Sequence, residues 1–136
     1  MTKSSPPFET RPLPAEVDVL APDTTEIRVL LANERGSMCH GTLGPGMVSV
    51  PVRHRTVEEI WYVLRGEADL WRRQGKREEV VRIRPGISLT IPLGTSFQFR
   101  TVGEEPFRFL MVTMPPWPGD QECEVVEGRW SVAGLP

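Results

Sequence analysis

The sequence predicts an all-β domain, a barrel or sandwich of short antiparallel strands. Three observations point there. Glycine and proline number 12 and 14 in 136 residues, well above their combined average usage of roughly 12%, and both break helices and mark turns. The apolar residues fall into short runs separated by turn-forming residues, at the roughly 8–12-residue spacing of sandwiches and barrels. No stretch carries the period of an amphipathic helix. The length suits one domain, and 39% hydrophobic with 25% charged residues is a globular composition.

Taken in order, residues 1–25 form a proline-rich arm, expected to be disordered or laid across a neighbouring surface. A barrel is expected over 26–114. Its first run, Glu26–Ala32, ends at the Asn33-Glu34-Arg35-Gly36 turn. Ser37–Leu43 follows and is closed by Gly44-Pro45-Gly46, and Met47–His54 is read as a third strand with alternating valines. Glu58–Leu64 is rich in β-branched and aromatic residues, which suits a buried strand, and Gly66 ends it. Glu67–Arg73 and Arg77–Arg84 flank Gln74-Gly75-Lys76, a hairpin turn with Gly75 at positive φ. Ile87–Ile91, Ser96–Val102 and Phe107–Met114 complete the series. Residues 115–136 form a tail whose Val125, Val126, Trp130 and Val132 make it apolar enough to pack back on the barrel.

Charge and cysteine content exclude several function classes. The net charge is -2, without the basic excess of a nucleic-acid binder. The one basic cluster, Arg72 to Arg77, runs directly into Glu78 and Glu79 and reads as a solvated hairpin tip. Cys39 and Cys123 make no disulfide framework. No apolar leader and no membrane-spanning stretch is expected, which makes a cytoplasmic protein the expectation.

Two histidines occur, His40 and His54. His54 ends one run, and Glu58 and Glu59 open the next after a short turn, so the two strands should be adjacent. Side chains alternate faces along a strand. Glu59, Trp61 and Val63 therefore share one face, Val52 and His54 share another, and His54 and Glu59 could look into one lumen. The stretch from His54 through Glu59 to Gly66, preceded by Gly46, resembles the first motif of the cupin superfamily: a glycine, two histidines one residue apart, a glutamate and a closing glycine. Gly86 through Pro92 and Gly94 to Phe97 resembles the second motif, which ends in a histidine. The resemblance covers roughly residues 37–114. It implies a small single-domain bacterial cupin, an antiparallel double-stranded β-helix (jelly-roll barrel), and a homodimer in which the arm crosses the two-fold axis.

The departures from the family pattern bear on chemistry. Metal-binding cupins usually supply three histidines and the glutamate. Here Val52 stands at the first histidine position and Phe97 at the last, leaving His54 and Glu59. A catalytic metal normally takes three or more protein ligands. The expectation is therefore a degenerate metal site and no cofactor. A further alternative is a divalent-metal cupin enzyme with an incomplete ligand set, His54, Glu59 and water, with His40 as a candidate third protein ligand; Cys39 and His40 lie on opposite faces of a regular strand, so at most one points inward. The expected lumen is apolar and aromatic, lined by Val52, Trp61, Val63, Phe97 and Phe99, a description that fits a small-molecule pocket and a filled barrel core alike. His54 and Glu59 read either as a metal-free acid/base pair for isomerisation, elimination or cyclisation, or as a structural contact at the barrel mouth. A barrel that binds a small molecule without turnover is the alternative from another class. Arg53 and Arg100 fall out of phase with the inward positions and are expected at a surface or an interface.

Overall fold

The computed structural model describes residues 5–132. Its strands are β1 (Val19–Leu20), β2 (Glu26–Asn33), β3 (Gly36–Leu43), β4 (Val52–His54), β5 (Glu58–Arg65), β6 (Glu67–Gln74), β7 (Arg77–Ile83), β8 (Ser88–Ile91), β9 (Ser96–Val102), β10 (Phe107–Met114) and β11 (Cys123–Val125). A 3-10 turn, Asp120–Glu122, precedes β11. The strands form two antiparallel sheets, β1-β2-β3-β10-β5-β8 and β11-β4-β9-β6-β7. This is the antiparallel double-stranded β-helix that the sequence predicts. No helix among the described residues is long and apolar enough to cross a membrane.

Alternation builds the interior. In β5, Glu59, Trp61 and Val63 are buried while Glu58, Ile60 and Tyr62 are exposed. In β10, Phe107, Phe109, Met111 and Thr113 are the buried set. The register places Thr113 opposite Glu59, Met111 opposite Trp61 and Phe109 opposite Val63. Such cross-strand neighbours stand close enough to touch, so each inward residue of β5 has a defined partner. Gly75 takes φ 59 in the β6–β7 hairpin, as expected. Gly66 has φ 72 and sits where a β-carbon would run into the Pro106 carbonyl, so both backbone conformation and space demand glycine there.

Two features differ from the sequence reading. Met47–His54 is not one strand: only Val52–His54 is, with Val48 in an isolated bridge to Arg100. Pro51 has no N–H for the ladder, and the residue before it donates elsewhere, Val50 N–H to the Asp23 carbonyl at 2.9 Å. Within the segment assigned to the arm, Val19 and Leu20 pair with β2, and a turn over Ala21–Thr25 follows, closed by Thr24 N–H to the Ala21 carbonyl at 2.8 Å. Thr24 is the non-glycine residue with positive φ, 78°. Residues 1–4 of the arm lie outside the described residues.

The chain after β10 returns to the barrel. β11 pairs with β4, setting Cys123 opposite His54. Gln98 of β9 is fully buried and donates to the Ser49 and Trp130 carbonyls at 3.0 and 2.7 Å, while its own carbonyl accepts from Arg129 and Trp130 N–H at 2.9 Å each. Its buried amide is thereby satisfied by the tail. Residues 133–136 lie outside the described residues.

Candidate functional site

His54 and Glu59 are held at the two ends of the β4–β5 turn. The Glu122 carboxylate spans that turn, accepting from Thr56 N–H at 2.5 Å, Thr56 Oγ1–H at 2.6 Å and Val57 N–H at 2.8 Å. Burial opposes its ionisation, but these three donors outweigh burial and hold its carboxyl below the usual range. A residue in the tail thus fixes the geometry of the two residues singled out by the sequence.

Glu59 is 5% exposed. Its Oε1 accepts from Trp61 Nε1–H at 3.0 Å and its Oε2 from Thr113 Oγ1–H at 2.7 Å. Burial pushes the carboxyl up, against the pull of the His54 imidazole and of the two hydrogen bonds. His54 Nδ1 lies 4.0 Å from Glu59 Oε1, beyond direct hydrogen-bond distance. That nitrogen is buried and has no hydrogen-bond partner. The imidazole is gripped edge-on by Phe97 and Trp117, each with ring centroids 5.3 Å away.

Both residues open onto a cavity of about 380 Å³. Trp61, Phe97, Met111, Thr113 and Trp117 form walls, and Asp23, Cys39 and Cys123 are also exposed to it. Asp23 comes from the Ala21–Thr25 turn, 8% exposed. Its Oδ1 accepts from Thr25 N–H at 3.0 Å. Burial raises its carboxyl, opposed by the Thr25 hydrogen bonds and by His54. Burial, reinforced by the carboxyls of Glu59 and Asp23, pushes both thiols up to about 12. Cys39 and Cys123 are therefore neutral thiols near neutral pH and poor nucleophiles.

Of the five residues expected to line a pocket, Trp61 and Phe97 do so. Val52, Val63 and Phe99 do not: each is 0% exposed in the packed core, because the aromatic side chains beyond Trp61 fill that part of the lumen. Arg53 pairs with Glu124 at 2.8 Å on the surface, and Arg100 packs over the Trp130 ring at 4.4 Å. His40 is opposite Arg28 and Leu110 in the ladders. Cys39 faces the cavity, so alternation turns His40 away from it, and it is not a third ligand beside His54 and Glu59. Burial and then the nearby Arg108 and Arg28 lower the His40 pKa. Both Glu59 oxygens already accept hydrogen bonds, and no metal-holding group of three or more His, Cys, Asp or Glu occurs among the described residues.

Asp23, Thr113, Trp117 and Cys123 were not singled out by the sequence. Thr113 follows from alternation once β10 is known to neighbour β5. The others arrive from segments without periodicity and carry no local signal.

Comparison with known proteins adds the following. A family model described as a cupin domain matches residues 39–113. No curated protein sequence matches the chain. Among solved structures, KdgF from Halomonas sp. is similar with TM-score 0.62 and 18% identity, over 74% of this chain and 87% of that one. A predicted oxalate decarboxylase from Thermotoga maritima has TM-score 0.58 and 24% identity, over 67% and 80%. An uncharacterized conserved protein with a double-stranded β-helix domain from Klebsiella pneumoniae has TM-score 0.64 and 22% identity, over 88% and 86%. At these identities the likeness is one of fold.

Proposed function

The chain belongs to the cupin domain family, and from that premise we propose that it binds a small organic molecule in its barrel and moves a proton on it with His54 and Glu59, without a metal. One observation carries this reading: a buried imidazole with an unpartnered nitrogen stands 4.0 Å from a buried carboxyl on the wall of a 380 Å³ cavity. A substrate atom placed about 2.8 Å from each group would bridge them. Trp61 and Thr113 fix the Glu59 carboxyl in place, so no reorganisation is needed when charge shifts. Burial raises its carboxyl, bringing it nearer the range in which a general acid or base works at neutral pH. One group takes a proton from the substrate while the other returns one elsewhere, which is the demand of an isomerisation, an elimination or a cyclisation.

The two hydrogen bonds on Glu59 also favour a second reading, a binding barrel in which the carboxyl only shapes the pocket. The same experiment separates the two. A ligand found by thermal-shift screening is followed by NMR in the presence of the protein. Conversion is expected, and His54→Ala should slow it about 10²–10⁴-fold while binding persists. Full activity in His54→Ala sinks the proposed pair, and a ligand recovered unchanged points to the binding barrel.

A further inference from the structure

The cavity is largely apolar, and its ionisable groups are acidic apart from one imidazole. Its walls carry Asp23, Glu59 and Asp120 against one imidazole, and no lysine or arginine among the described residues. Asp23 and Glu59 are more than nine-tenths buried. His54 is the one cationic-capable group acting on either of them. Arginines elsewhere in the fold have their own partners: Arg53 and Arg55 pair with Glu124, and Arg82 and Arg100 with Asp69. Burial raises both carboxyls, and a bound cation would favour their ionised forms; a protonated His54 alone would offset one of those two charges. His54 is 5% exposed, and its Nδ1, on the same wall, is a buried polar atom without a hydrogen-bond partner. Both carboxyls accept hydrogen bonds, Asp23 from Thr25 and Glu59 from Trp61 and Thr113, but neutral donors do not balance a buried charge, and the faces of Trp61 and Trp117 are negative.

We propose that the pocket takes an organic amine as its ammonium ion, with an apolar body against Trp61 and Phe97 and its N–H donors directed at the Asp23 and Glu59 carboxyls. The inference rests on the small-molecule pocket described above and names the class of its occupant. An ammonium group offers three donors and a full positive charge, which is what two buried carboxyls and aromatic faces lack. A carboxylate ligand would bring a further negative charge into a site with no arginine or lysine to receive it. One similar structure is named for oxalate, a dianion; this cavity is built for the opposite charge.

The test uses three compounds of one shape: 2-phenylethylamine, 2-phenylethanol and phenylacetate, titrated calorimetrically into the full chain at neutral pH. The amine should bind at least tenfold more tightly than the alcohol, and phenylacetate should not bind measurably. Asp23→Asn, which keeps an oxygen for Thr25 N–H, should remove the amine's advantage and leave the alcohol unchanged. The wild-type series decides the matter even if that variant does not fold. Equal binding of alcohol and amine, or tighter binding of phenylacetate, overturns the ammonium assignment and leaves the pocket reading standing. Failure of all three at millimolar concentration overturns the assignment, and an empty thermal-shift screen alongside it overturns the pocket as well.

Discussion

The two ends of the barrel lumen are made by the same strands and differ in kind. At one end Val63, Phe99, Phe107 and Phe109 are 0% exposed, and the rings of Phe107 and Phe109 stack at 4.9 Å. At the other end inward positions of the same strands are Glu59, Phe97 and Thr113, beside a cavity. Trp61 is the boundary: its ring packs on Phe109 at 4.5 Å and on Phe99 at 5.2 Å, while its N–H holds Glu59. One alternation rule turns all these residues inward. What separates a core from a site is the polarity of each inward residue and whether the barrel closes over it. The closed end supplies the burial that stabilises a domain of this size. The open end keeps polar groups that such packing could not accommodate.

This division is open to attack. The largest effect is expected at the closed end, where Phe107→Ala should cost about 3–5 kcal/mol in urea unfolding, since it removes a ring from a filled interior. A loss under 1 kcal/mol would mean that this end is not the packed one. At the open end, Thr113→Val keeps the shape and removes one donor to Glu59. It should cost about 1–3 kcal/mol, because a buried acceptor loses its partner. No measurable loss would mean that water replaces the hydroxyl freely.

The third difference is in pH dependence. Burial raises the Glu59 carboxyl above its ordinary 4.5. The folded chain therefore keeps that proton to higher pH than the unfolded chain. The linked stability is full below 4.5 and declines as the pH rises through the folded value. Glu59→Gln abolishes this decline, so the variant should gain on the wild type as the pH is raised from 4.5 towards neutrality. Asp23 contributes a decline of the same sign in both proteins. The Phe107→Ala difference should be flat over the same range. A flat Glu59→Gln difference would show that the open end is as wet as bulk solvent.

Much of the fold was legible in the sequence because its signals are local. Glycines at corners and alternation within Glu58–Leu64 each act over a few residues. Pro51 is the local signal that interrupts Met47–His54: it cannot donate to a ladder, and the strand begins after it, at Val52. The site was legible only in part. His54, Glu59, Trp61 and Phe97 came from spacing and alternation. Asp23 and Trp117 reach the cavity from turns, and Glu122 sets the turn between His54 and Glu59 from 65 residues away along the chain.

By itself, the sequence determined which residues share a face and where most of the strands turn. Only the tertiary structure decided that Val63 and Phe99 are core while Trp61 and Phe97 border a cavity, that Cys39 rather than His40 faces it, and that Asp23 joins Glu59 there. The reason is physical. Facing within a strand follows from backbone geometry at each residue, whereas depth, register and closure depend on pairings between distant strands, and those are set by the packing of the whole barrel.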